Sequence, residues 1–427
     1  MGIAVGMETR LTRELLMFAI GGAVAFVAQL LTTKAISSFW SAEVVGRYVM
    51  VQALLSFANS VLIGPFLVCH LRWAVHNVSG CRGLGWRGHS VIGVVLGTIA
   101  GCLLLAVVVI RRESVSAQWI VVGIVILIGN AIGGLVTNGM EANGKAEGLA
   151  SGLCISRVVA LLAVCILGSV HPEASPWAIS ASTGLTVSAV LLMFGGSALS
   201  MSGASGHEPI GMWKSGRSFV TSIGYQWIYH CMSYSTSWLL TTSDRVFLVD
   251  ALGEGEVGRY GINYAILSAP LVVVNSALEY ASRRLMYRSS DGSGAFDALK
   301  KRIVLAVLSG VAWLIIIMPF YETVIVLVTS PRFVVSRVVV FALVVANVLM
   351  LASNGFTTHL LGRRKDATVA VIGIVSGGFV LIANVALIPQ FGMVGAALAT
   401  VVGYGTALLG QLAAIALDRN QVQVRHV

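Results

Sequence analysis

Arg157 stands eight residues into an otherwise apolar run, Leu149 to Gly168, and its rigid fork of donors suits two-point contact with phosphate or carboxylate oxygens. The same side chain can instead bond to backbone carbonyls, Asn or Gln of a neighbouring helix. A second group shares one helical face: Gln226 and His230 at i, i+4, continued by Ser233, Tyr234 and Ser237, with Tyr225 and Tyr229 alongside. Aromatic faces beside hydrogen-bonding edges suit a sugar, and the same groups also suit bonds between helices. Histidine adds a side chain able to exchange a proton near neutral pH. Asp244 and Arg245 offer a protonatable switch and an anion contact, or an interfacial ion pair that fixes a helix end. Glu279, one turn before Arg283, and Glu322, shortly after Pro319, are further carboxylates for coupling or gating. Their alternative readings are an i, i+4 salt bridge and a kinked helix end.

Other chemistry lacks support. Gly139-x4-Gly144-Lys145 resembles a phosphate-binding loop but continues into Ala146, where a Ser or Thr hydroxyl would be needed for magnesium. Gly83-Leu84-Gly85-Trp86-Arg87-Gly88 spells G-x-G-x-x-G outside any βαβ unit, and with 47 glycines such coincidences are expected. The six cysteines, Cys69, Cys81, Cys102, Cys154, Cys165 and Cys231, form no C-x-x-C and no cluster with His, so neither a zinc site nor a disulfide framework is implied. No cofactor is called for.

The elements that must position these residues are membrane helices. Of 427 residues 57% are hydrophobic and only 11% charged, with a mean hydropathy of +0.88; a soluble surface needs about a quarter charged. A spanning helix takes about 20 apolar residues. Twelve segments qualify: Leu15–Thr33, Tyr48–Leu67, Val91–Ile110, Trp119–Asn138, Leu149–Gly168, Trp177–Leu199, Phe219–Thr241, Tyr260–Ala281, Ile303–Val328, Val338–His359, Ala367–Ile388 and Met393–Leu417. The first is too long for a cleavable signal and lacks its small-residue site. An all-α polytopic protein is therefore expected, with a six-helix lobe in residues 1–210 and another in 211–427.

Charge orients the spans. With both tails cytoplasmic, nineteen of the 28 Lys and Arg fall inside, eight fall outside, and Arg157 is within a helix. The connections are short, the longest outer one running from Thr242 to Arg259, so no catalytic domain is hidden between spans. Under that count Arg302 belongs to the cytoplasmic surface.

The halves repeat. Glu43-Val44-Val45-Gly46-Arg47-Tyr48 follows the first span and Glu256-Val257-Gly258-Arg259-Tyr260 the seventh, placing the two Gly-Arg-Tyr triplets 212 residues apart. Gly144-Lys145 and Gly362-Arg363-Arg364-Lys365 form a weaker echo. Parallel repeats about an axis normal to the membrane recur in transporters, whose halves rock about a substrate; a scaffold or membrane enzyme is the other use of such a bundle.

Thr242-Ser243-Asp244-Arg245-Val246-Phe247-Leu248, with Gly255-Glu256-Val257-Gly258-Arg259-Tyr260-Gly261-Ile262-Asn263-Tyr264-Ala265, resembles the centre of bacterial polysaccharide and O-antigen flippases, the Wzx-type exporters. The stretch from Leu387 to Thr400, LIPQFGMVGAALAT, is similar to their approach to the twelfth helix. The resemblance implies two six-helix lobes in a V around a cavity, within a superfamily that also holds multidrug exporters and lipid II flippases. It implies movement of an undecaprenyl-diphosphate-linked oligosaccharide across the bacterial inner membrane by alternating access, for O-antigen, capsule or exopolysaccharide assembly. Arg157 would then meet the diphosphate and the Gln226–Ser233 stripe the sugar. Membrane lipids, a coupling ion (H+ or Na+) and polysaccharide-assembly proteins are the partners this implies, and no nucleic acid is among them. The rivals are a multidrug or organic-cation antiporter, which should carry an intramembrane acid, and a membrane glycan polymerase or ligase, which would carry a large outer loop.

Overall fold

In the computed structural model the structure describes residues 2–76, 95, 97–99, 117–142, 146–171, 173–184, 226–288 and 293–424. Most of the third and sixth expected spans lie outside that set. Among the described residues there is no strand; the long elements are α1 (Gly2–Phe39), α2 (Ala42–Ala58), α3 (Gly64–His76), α4 (Ala117–Ala142), α5 (Ala146–Val170), α6 (Gln226–Leu252), α7 (Glu254–Arg288), α8 (Ser293–Val328), α9 (Arg337–Gly362), α10 (Asp366–Phe391) and α11 (Met393–Val424). Eight of the helical stretches formed by the described residues are long and apolar enough to cross a membrane. The all-α membrane fold expected from hydropathy is the fold the chain adopts.

The chain divides into two compact units, one of Met1–Trp40 with Leu54–Trp227 and the other of Ser41–Ala53 with Ile228–Val427. In the first, α1 lies along α5 and α3 along α4. Small residues permit the approach: a Cβ on Gly134 would collide with Leu67, and one on Gly168 with the Phe39 ring. Asn138 Nδ2 donates to the Leu67 carbonyl at 2.7 Å.

In the second unit α10 and α11 form a tight antiparallel pair, and α9 packs against α11, α8 and α7. The α10–α11 link is the single residue Gly392, whose φ of 56° favours glycine. Gly395 then lies against the Leu387 carbonyl with no room for a side chain. Pro389 sits in the last turn of α10, so Leu387–Thr400 is the hairpin between the last two spans.

The stretch from Thr242 to Arg259 is not a loop. Helix α6 continues to Leu252 and α7 begins at Glu254, joined by Gly253 at φ 86°. The charges that marked the stretch as exposed are accommodated in pairs, Arg259 with Glu256 at 3.0 Å and Arg47 with Glu254 at 2.6 Å. Helices α2 and α7 begin 212 residues apart, the offset of the two triplets. At that same offset Pro270 of α7 corresponds to Ala58, where α2 passes into a π-helical turn, Asn59–Ile63. Both helices thus depart from regular α bonding at equivalent places, one through a missing N–H and the other through a π turn.

Candidate functional site

The second unit carries a buried carboxylate. Asp244, in the last third of α6, is 2% exposed. Its Oδ1 accepts the Arg245 backbone N–H at 2.8 Å; its Oδ2 accepts the Tyr260 hydroxyl of α7 at 2.6 Å and the Thr400 hydroxyl of α11 at 3.4 Å. A carboxylate this far from water persists only with such donors or a cation beside it.

Neutral oxygens surround it. Ser243 Oγ accepts from Asn384 Nδ2 of α10 at 3.0 Å and donates to the Leu239 carbonyl at 2.5 Å. Asn384 is fully buried, and its Oδ1 has no hydrogen-bond donor. Thr400 Oγ1 also lies 3.1 Å from the Ala396 carbonyl. Tyr404 is buried one turn beyond Thr400, and Tyr264, one turn beyond Tyr260, lies under the Arg245 guanidinium at 5.1 Å.

The local sequence explains the convergence. Helix α11 opens with small residues, and Ala396, Ala397 and Ala399 are fully buried. Gly403 lets the side chains of Leu240 of α6 and Val380 of α10 pack directly on the α11 backbone near Thr400. One carboxylate with hydroxyl and amide oxygens from α6, α10 and α11 is the donor set of a hard cation. The 212-residue counterpart of Asp244 in the first half is Thr32, buried with its hydroxyl on the Ala28 carbonyl at 2.8 Å. The charge belongs to one half alone.

The sequence candidates are dispersed. Arg157 is exposed on the first unit, its Nη1 donating to Gln29 Oε1 of α1 at 2.8 Å. Tyr225 lies outside the described residues. Gln226 and Tyr229 are half-buried at the start of α6. His230 is buried, its Nε2 3.6 Å from Asp366 Oδ1 at the start of α10. Ser233 donates to the Tyr229 carbonyl at 2.9 Å and, with Thr236, faces Gly373 of α10. Part of the stripe therefore packs against a neighbouring helix. Glu279 is half-buried in α7, whereas Glu322 is exposed and 3.4 Å from Arg337.

Arg302, counted with the cytoplasmic surface, is instead 2% exposed. Its Nη1 donates to Ser282 Oγ at 3.1 Å and Thr358 Oγ1 at 3.2 Å, and Nη2 to Asn275 Oδ1 at 3.4 Å. Of the Asp244 cluster, sequence reasoning singled out Asp244 and Arg245 and missed Tyr260, Asn384 and Thr400 as functional groups. Tyr260 and Thr400 were nonetheless inside the stretches that carry the resemblance.

No protein-family model and no curated protein matches the chain in sequence. Solved structures do match in shape. An outward-facing multidrug resistance MATE family transporter of the MOP superfamily superposes with a TM-score of 0.68 at 13% identity, covering 96% of both chains. A mutant of the Vibrio cholerae MATE transporter VcmN gives 0.67 at 12% identity over 97% of this chain and 98% of that one. The lipid II flippase MurJ, in an inward closed conformation, gives 0.64 at 12% identity over 95% and 87%. The chain has the fold shared by these MOP-superfamily transporters.

Proposed function

We propose that the chain is a sodium-coupled flippase that moves undecaprenyl-diphosphate-linked oligosaccharide across the bacterial inner membrane by alternating access of its two halves. The observation that carries the coupling is the buried Asp244 carboxylate, held among Ser243, Asn384, Tyr260 and Thr400 with one amide oxygen still lacking a donor. With the interior electrically negative, outward movement of a diphosphate is electrically downhill. Inward sodium movement would make the cycle directional by driving the return of the emptied carrier. The substrate class is supported by the Wzx-like stretches, the MurJ-like fold and the cationic Arg157 on the first unit.

The MATE-like fold equally supports a multidrug or organic-cation antiporter. Asp244 removes one argument against that reading, because it is an intramembrane acid. Its surroundings fit an ion-coupling role better than a drug-binding one: at 2% exposure, with Tyr260, Asn384 and Thr400 around it, the carboxylate is closed to a bulky organic cation. Small-ion coupling together with an anionic lipid substrate is the better fit.

The test is leaflet translocation of a fluorescent undecaprenyl-diphosphate oligosaccharide in proteoliposomes, with organic-cation uptake measured in parallel. Arg157-dependent flipping without cation uptake supports the reading. Organic-cation uptake without flipping assigns the chain to the antiporters.

A further inference from the structure

Tyr260 belongs to two structures at once. Its hydroxyl is the shortest donor to Asp244, at 2.6 Å, and its ring is fully buried. It is also the last residue of the second Gly-Arg-Tyr triplet, on the stretch of α7 that bears against the first turns of α2. That contact has no slack. A Cβ on Gly258 would collide with the Ala42 carbonyl and lie 2.9 Å from the Gly46 amide nitrogen, and one on Gly46 would collide with the Glu254 carbonyl. One turn on, a Cβ on Gly261 would lie 2.8 Å from both methyls of Val49. Arg47 Nε holds Glu254 at 2.6 Å beside the crossing, and Trp238 Nε1 of α6 donates to the Ala53 carbonyl of α2 at 3.0 Å.

We infer that Tyr260 is the positioning residue through which ion occupancy at Asp244 reaches the α2–α7 crossing. The inference rests on Asp244 being the cation site. While the carboxylate is bare, the phenol makes a charge-assisted hydrogen bond, about twice as strong as one to a neutral acceptor. A cation at Asp244 compensates that charge and reduces the bond to an ordinary one. The first turns of α7 are then held less firmly to α6. Because glycine backbones touch across the crossing, α7 has no room to shift without displacing the start of α2. Residues 42–53 of α2 belong to the same unit as α7, so a displacement of α7 is felt within that unit at the start of α2. In the first half the triplet tyrosine is Tyr48, and the place of Asp244 is taken by Thr32, which has no charge to compensate. The coupling is one-sided.

The experiment uses the full chain in proteoliposomes, cysteine-depleted, with Arg47→Cys and Glu254→Cys reporting disulfide formation in sodium or choline chloride. Binding of radiolabelled sodium is measured on the same preparations. With Tyr260 intact, sodium should change the crosslinking rate by about fivefold, the difference between a charged and a neutral hydrogen bond. Tyr260→Phe should still bind sodium but crosslink at one rate in both salts. Thr400→Val, which removes the other donor to the same oxygen from a different helix, should weaken sodium binding yet keep the response at saturating sodium. A Tyr260→Phe protein whose crosslinking responds as fully as its parent overturns the inference and leaves the sodium site standing. If Tyr260→Phe does not assemble, Asp244→Asn decides: its rate should match that of the sodium-bound parent in either salt, and a match to the sodium-free parent overturns the inference. A parent that binds no sodium overturns the sodium reading and this inference together.

Discussion

Gly46 and Gly258, which hold the same place in the two Gly-Arg-Tyr triplets, are packed against one another: a Cβ on Gly258 would lie 2.9 Å from the Gly46 amide nitrogen. The internal repeat is therefore also a contact, in which each glycine leaves out a side chain that would meet backbone of the other half, Gly258 at Ala42 and Gly46 at Glu254. Apolar area gains little between helices in lipid, so backbone approach of this kind is a main source of helix association.

Alanine at either glycine should be poorly tolerated. Gly258→Ala drives a methyl into the Ala42 carbonyl and Gly46→Ala one into that of Glu254, both backbone atoms that cannot rotate aside. A cost of about 1–3 kcal/mol is expected, as for other overpacked sites. Gly378→Ala and Gly405→Ala, where nothing lies within 4 Å of the added carbon, should leave stability unchanged or slightly raised. Thermal unfolding followed by fluorescence-detected size exclusion compares the four.

His230 and Asp366 should behave as a pair. The imidazole lies 3.6 Å from a carboxylate that is only 4% exposed, and taking a polar partner from a buried group costs about 1–3 kcal/mol. His230→Ala should therefore lower the unfolding temperature sharply. The double variant His230→Leu/Asp366→Asn should recover most of the loss, and additive losses in the same assay would show that the two do not interact.

Arg157→Ala should separate stability from transport. The side chain is exposed and donates to Gln29 Oε1 at 2.8 Å, so its loss should change stability by no more than about 0.5 kcal/mol. Flipping of the diphosphate lipid should nonetheless fall. Unchanged flipping in a folded Arg157→Ala protein would remove Arg157 from the substrate path.

Asp244→Ala should be worse for folding than Asp244→Asn. Alanine strands the buried Tyr260 hydroxyl without an acceptor, at a cost of about 1–3 kcal/mol, whereas asparagine keeps an acceptor oxygen in place. Comparison of their unfolding temperatures checks this before either is used for transport.

The membrane-spanning plan was legible because hydropathy records which segments leave water. What hydropathy does not record is whether a helix face meets lipid or another helix, since both are apolar. The Gln226–Ser233 stripe shows the consequence: its periodicity is real, yet His230 looks to Asp366 and Ser233 to Gly373. Arg302 follows Lys300 and Lys301 and so resembles a surface cluster, although its own side chain turns inward to Ser282 and Thr358. Asn384 and Thr400 carry no charge to draw the eye, and the small residues that bring them to Asp244 are common in any membrane helix. The charges between Thr242 and Arg259 suggested a loop because pairing across helices, as between Arg47 and Glu254, depends on tertiary structure.

The most direct measurement is translocation of a fluorescent undecaprenyl-diphosphate oligosaccharide in proteoliposomes under an imposed sodium gradient, with wild type and Asp244→Asn compared at equal reconstitution. The account predicts that the gradient accelerates flipping by the wild type, and that Asp244→Asn flips at a rate indifferent to sodium. Acceleration of equal size in Asp244→Asn, or wild-type flipping that ignores sodium and follows a proton gradient, would contradict it.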